Sequence, residues 1–246
     1  MLIPATVPLD KRTLFQQHYE AATKHTGKLF IFAGDQKMEH LNSDFYGPSL
    51  APEINNPQHL FEIATESNCG LFATHLGLIS RYGQLYPTIP YLVKLNGKSN
   101  LAQGDPYSKQ IWSVNDAVTL CKTNNLNLAA VGYTVYVGSI YERNMLVEAA
   151  AIVRDAHAHG LLTVLWMYPR GTEIKNERDA HIIAGAAGLG ACLGADFVKV
   201  NQPTTGPESL QEAVQAAGNT QLIVAGSSRI EKKLLLENIQ AQLQTG

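Results

Sequence analysis

Two apolar stretches carry the residues with the most chemistry in them. Ala195-Asp196-Phe197-Val198-Lys199-Val200-Asn201 has four apolar positions, two of them β-branched, with Gly194 before it and Pro203 after it. It reads as a buried strand. An ammonium in such a strand is costly unless it is paired, and losing its proton relieves the cost. A neutral lysine amine is a nucleophile towards carbonyls. The stretch before it in space is expected to be Leu162 to Gly171, which holds Trp166 and Tyr168. Residues two apart on a strand share a face, so an aromatic wall, a phenol and Lys199 on adjacent strand ends make a plausible Schiff-base pocket. The alternative is that Lys199 snorkels outward, as strand lysines usually do.

Further candidates follow other apolar runs. Asp35 stands two residues past Leu29-Phe30-Ile31-Phe32-Ala33 and reads either as a site carboxylate or as a turn cap. Lys94, Lys98 and Arg170 are phosphate ligands, field-tuning cations or ordinary solvated charges. Gly226-Ser227-Ser228 ahead of a helix offers backbone N–H groups to an anion. Trp166 is pocket wall or plain core.

Composition bounds what these residues serve. The chain has 246 residues, 45% hydrophobic and 16% charged, with a formal net charge of -2; its isoelectric point is near 6.4. There is no basic footprint for nucleic acid or an anionic membrane. Three widely spaced cysteines, Cys69, Cys121 and Cys192, argue against a disulfide framework and fit a reducing compartment. Met1-Leu2-Ile3-Pro4 lacks the pattern of a secretory signal, and the longest apolar run, around Ile182 to Leu193, is too short to span a bilayer. A cytoplasmic enzyme, homo-oligomeric and bound to neither nucleic acid nor membrane, is expected.

The elements that must position these residues alternate. A helix over about 11–26, capped by Asp10, precedes strands at 29–33, 70–74, 91–95, 126–133, 162–171, 195–201 and 222–225. Helices are expected at 57–67, 113–123, 140–159, 177–194, 207–217 and 230–243. Seven strand-then-helix units with no second composition regime predict one parallel α/β domain over 1–246, with barrel units from 28 onward. Polar residues end the first, third, fifth, sixth and seventh strands, as the catalytic rim of a (β/α)8 TIM barrel requires. A doubly wound sheet would gather them at one switch point.

Five motifs in order carry a resemblance. They are Gly34-Asp35-Gln36 with Glu39-His40, Val93-Lys94-Leu95-Asn96-Gly97-Lys98, Val131-Gly132-Tyr133 with Gly138-Ser139, Trp166-Met167-Tyr168-Pro169-Arg170-Gly171, and Asp196 to Asn201. From about Lys28 to Ser228 the chain resembles the archaeal-type (DhnA-type) class I fructose-bisphosphate aldolases. The resemblance implies a TIM barrel that cleaves fructose 1,6-bisphosphate to dihydroxyacetone phosphate and glyceraldehyde 3-phosphate. It implies Lys199 as the Schiff-base residue, Tyr168 handling the proton of the sugar hydroxyl, Asp35 assisting near the imine, Trp166 shaping the pocket, and Gly226 and Ser227 in the first phosphate loop. Gln202 departs from relatives that carry tyrosine or another residue there. The chemistry accounts for these types: cleavage beside a carbonyl leaves a carbanion, and a protonated imine is a better electron sink than an oxygen.

Other readings stay open. The histidines show no converging set for zinc, because His157 and His159 are two apart on a helix and His40 and His75 follow different strands; no metal and no cofactor are expected. A related Schiff-base lyase or transaldolase on another sugar phosphate would use the same lysine, and an incomplete, non-catalytic barrel is the rival of another class. The eighth strand of a closed barrel, with its second phosphate loop, has no match within 1–246. The chain is therefore expected to be a C-terminally shortened version of a longer protein or to have a disordered C-terminus, to form seven-eighths of the barrel, and to bind phosphate weakly and turn over poorly even with Lys199 intact.

Overall fold

The computed structural model describes residues 2–226 and 230–245. Seven strands lie in one sheet in sequence order, every neighbouring pair parallel. They are β1 (Ile31–Ala33), β2 (Leu71–His75), β3 (Tyr91–Lys94), β4 (Leu128–Val137), β5 (Leu162–Pro169), β6 (Phe197–Val200) and β7 (Gln221–Val224). The α-helices among the described residues are α1 (Arg12–Ala22), α2 (Gln36–Glu39), α3 (Gln58–Glu66), α4 (Leu76–Tyr82), α5 (Val114–Thr123), α6 (Glu142–Ala158), α7 (Ala180–Cys192), α8 (Gln211–Ala217) and α9 (Lys232–Gln244). The sheet curls as a TIM barrel does, one strand short of closure, with β1 and β7 as its outer strands. At the base of that gap the Gln221 amide donates to the Gly27 carbonyl at 3.2 Å.

Strand alternation divides the apolar residues into two cores. Leu71, Ala73, Leu92, Ala130, Leu162, Val164, Trp166 and Phe197 face the barrel interior and form one cluster with Phe15, Tyr19 and Ala22 of α1. Tyr91, Val93, Val131, Tyr133, Leu165, Met167, Val198 and Val200 face outward, against the surrounding helices. Helix α1 thus plugs the end of the barrel opposite the strand C-termini, where Tyr19 stacks on Phe197 at 6.2 Å between centroids. Its seat needs glycine at position 70, because a Cβ there would lie 1.7 Å from the Ala22 carbonyl oxygen.

Several boundaries differ from those expected. Helix α1 ends at Ala22 rather than near 26, because the Thr23 hydroxyl bonds back to the Tyr19 carbonyl and Lys24 and His25 take left-handed backbone angles. Asp10 lies in a 3-10 turn and makes no cap. Strand β4 runs ten residues, to Val137, carrying Thr134 and Tyr136 to the rim. The loop after β1 begins with the one-turn helix α2. Ser113 caps α5 in a capping box with Asp116. His157 is core: its Nε2 meets Asp196 Oδ2 at 3.1 Å and its Nδ1 meets the Thr6 hydroxyl at 2.6 Å. Asp196 also accepts from the Thr163 N–H and hydroxyl, so β5, β6 and α6 are tied at the barrel base.

Gly132 sits in β4 against the Trp166 ring. A Cβ there would lie 2.4 Å from Trp166 and 2.8 Å from Leu92, too close for either to stay in place. Gly132→Ala should therefore cost about 1–3 kcal/mol, as overpacking does, and disturb the Trp166 ring. Denaturant midpoints and near-ultraviolet dichroism measure both; a variant unchanged in both would mean that the ring is not held as described.

Candidate active site

The interior positions continue upward from the apolar cluster to polar residues at the strand C-termini. After Leu92 comes Lys94, after Ala73 comes His75, after Val164 come Trp166 and Tyr168, and after Phe197 comes Lys199. Trp166 is the register partner of Lys199 across β5 and β6. Two amines lie over the indole: Lys199 Nζ is 5.2 Å from the ring centroid and Lys94 Nζ is 4.5 Å from it. Cations over an indole face are attracted by its quadrupole. Lys199 is half-buried, and Trp166 and Lys94 are buried.

Asp35, just past β1, meets Lys94 Nζ at 3.2 Å, with the two side chains 14% and 8% exposed. Burial pushes the Asp35 carboxyl up, but Lys94, Lys199 and His75 together hold it below its ordinary range. Lys199 is lowered, first by burial and also by the charge of Lys94, while Asp35 opposes the shift. The Tyr168 phenol is raised, by burial first and then by Asp35, Tyr136 and Glu39. It is therefore a neutral proton donor at rest.

The outer rim is organised by Glu39 of α2. Its carboxylate accepts from the Tyr136 hydroxyl at 3.2 Å and pairs with Lys98 at 3.7 Å and Arg170 at 3.6 Å. Arg170 also pairs with Glu177 at 3.0 Å. Of the three cations expected at the rim, Lys94 instead lies inside the barrel on Asp35, and Lys98 and Arg170 are held by carboxylates. A small recess of about 20 Å³, room for one water-sized group, opens between the ends of β1 to β4, lined among others by Asp35, Glu39, His75, Lys94, Lys98 and Thr134. Gly226, past β7, is exposed; Ser227, expected beside it in the phosphate loop, lies outside the described residues.

His75 and Glu39 were not among the residues singled out for chemistry from the sequence. The period of two that marks Lys199 also marks His75, two residues beyond the interior Ala73. Among the described residues, no three His, Cys, Asp or Glu side chains gather as a metal site, and no helix is long and apolar enough to cross a membrane.

A curled parallel sheet with an interior lysine pair at its C-terminal mouth defines a barrel aldolase, and family comparison bears this out. The chain belongs to the DeoC/LacD family of aldolases, whose model matches residues 29–246. A fructose-bisphosphate aldolase/6-deoxy-5-ketofructose 1-phosphate synthase from Methanocaldococcus jannaschii is 48% identical over 244 residues, 98% of this chain and 79% of its own. A fructose-bisphosphate aldolase from Slackia heliotrinireducens superimposes with a TM-score of 0.96 at 45% identity, over 100% of this chain and 80% of that one. An archaeal fructose-1,6-bisphosphate aldolase, solved with its catalytic lysine covalently bound to the carbinolamine intermediate, superimposes with a TM-score of 0.82 at 31% identity, covering 94% and 88%.

Proposed function

We propose that this chain is a class I, Schiff-base fructose-bisphosphate aldolase, with Lys199 as nucleophile, Tyr168 as acid/base, and Asp35 and Lys94 setting the charge around them. The observation that carries the reading is Lys199 itself: an interior lysine, lowered by burial and by a neighbouring ammonium, over an indole wall in a family of aldolases. The neutral amine adds to the C2 carbonyl, and loss of water leaves a protonated imine. The C3–C4 bond then breaks as the C4 hydroxyl gives up its proton, and the bonding pair passes to the imine nitrogen as an enamine. Glyceraldehyde 3-phosphate leaves, the enamine is protonated at C3, and hydrolysis frees dihydroxyacetone phosphate and the amine.

In the condensation direction Tyr168 donates to the aldehyde oxygen, a task suited to its raised pKa. In cleavage it accepts the same proton, and the imine cation formed beside it eases ionisation of the phenol. The exposed backbone at Gly226 and the neighbouring Ser227 supply the phosphate loop in this reading, with Arg170 and Lys98 reaching a phosphate only by sharing it with Glu39 and Glu177. No metal or cofactor takes part. The phosphorylated substrate does not cross membranes unaided, which supports a cytoplasmic site of action. The second name of the Methanocaldococcus jannaschii relative supports an alternative: the same enamine joined to a different aldehyde, giving a sugar phosphate without a 6-phosphate.

Borohydride with dihydroxyacetone phosphate should add the mass of the reduced adduct to the peptide holding Lys199. An adduct on Lys94 would overturn the assignment. Turnover should survive EDTA; loss that zinc restores would move the protein to the metal-dependent class.

Tyr168→Phe should keep imine trapping and lower cleavage by about 10²–10⁴-fold, the usual worth of a placed acid/base. Parallel loss of trapping and turnover would make Tyr168 structural.

A further inference from the structure

His75 takes no part in the chemistry above, yet it ends β2 inside the barrel mouth, where it pairs in register with Lys94. It is 7% exposed, and its Nδ1 has no hydrogen-bond partner among the described residues. A buried polar atom left unpaired costs stability, and such atoms are few in native structures. The ring borders the recess at the ends of β1 to β4. Gly97 packs beside it and against Met38: a Cβ at that position would lie 2.1 Å from the Met38 Sδ and 3.3 Å from the imidazole Cε1.

The charges around the recess say what kind of group could satisfy that nitrogen. Asp35 is paired with Lys94 and Glu39 with Lys98, so the two carboxylates and two ammonium groups in the lining balance. Burial, reinforced by Lys94 and opposed by Asp35, holds the imidazole pKa down to about 4, so the ring is neutral at physiological pH. A phosphate here would meet two carboxylates, and a cation would meet two ammonium groups. An uncharged hydroxyl, which both donates and accepts, matches a neutral imidazole.

Sheet order indicates which part of the substrate this is. Lys199 ends β6 with Gly226 beside it past β7, whereas His75 ends β2, four positions round the curled sheet from β6 and so across the mouth. With the phosphate nearer the imine carbon at Gly226, the half that leaves as aldehyde extends towards His75. We propose that His75 is a specificity-determining residue that hydrogen-bonds, through Nδ1, a hydroxyl on the uncharged part of the aldehyde half. This rests on the aldolase reading given above.

The test compares two acceptor aldehydes condensed with dihydroxyacetone phosphate: D-glyceraldehyde 3-phosphate and 3-oxopropyl phosphate, which lacks only the 2-hydroxyl. The wild-type protein should favour the first in kcat/KM. His75→Leu should cut that preference by about 10- to 100-fold, because the hydroxyl loses its partner. His75→Gln, which keeps a donor and an acceptor, should restore most of it. If leucine affects both aldehydes equally, or if glutamine behaves as leucine does, His75 is structural and the proposal fails. A measurement on the wild-type protein covers a leucine variant that does not fold: the 15N resonance of His75 Nδ1 should shift when D-glyceraldehyde 3-phosphate binds and stay put with 3-oxopropyl phosphate. Equal shifts, or none, would also overturn it. Failure of the aldolase reading is seen separately, as absence of imine trapping by the wild-type protein.

Discussion

The buried ion pair between Asp35 and Lys94 is the constraint on which the site depends. It spans the barrel mouth from β1 to β3 and joins residues 59 apart in sequence at 3.2 Å. Each partner alone would be an uncompensated charge in a low-dielectric interior; removing one member of a buried pair typically costs about 3–5 kcal/mol. Together they are tolerated, and they place one negative and one positive charge near Lys199. The amine of Lys199 feels all three influences: burial and Lys94 favour its neutral form, and Asp35 favours its charged form. A lysine tuned in this way can attack a carbonyl and still leave a protonated imine in an environment with a carboxylate at hand.

The rest of the barrel serves that arrangement. Trp166 gives both amines an aromatic face, and Gly132 lets the indole occupy the interior. Helix α1 closes the opposite end, so the polar end is the open one. Glu39 gathers the loops after β1, β3, β4 and β5 through Lys98, Tyr136 and Arg170, and so sets the outer wall of the mouth. The consequence is a graded site: a charge-paired interior around Lys199, a charge-balanced recess beside it, and a rim whose cations already hold carboxylates.

Much of this was legible in the sequence where the signal is local. Short apolar runs marked all seven strands, and the period of two put Trp166 and Tyr168 on one face. What was not legible depends on register between distant segments. No local pattern pairs Lys94 with Asp35; the parallel register of β1, β2 and β3 does. The one-turn helix carrying Glu39 is too short to show a periodicity. The residues after Ala22 are compatible with helix by type, and only the backbone turn at Lys24 and His25 ends it. Arg170 reads as a free rim cation until Glu177, seven residues on, folds back against it.

The central claim is that burial and the opposed charges of Asp35 and Lys94 set the protonation of Lys199, and the pH dependence of imine trapping measures the part the charges play. Trapping by borohydride should rise with pH as the amine loses its proton. Asp35 favours the ammonium, so Asp35→Asn should move that rise to lower pH. Lys94 disfavours it, so Lys94→Met should move the rise to higher pH. Opposite displacements in the two variants are the predicted result; profiles that coincide with the wild type, or that move in the same direction, would contradict the account.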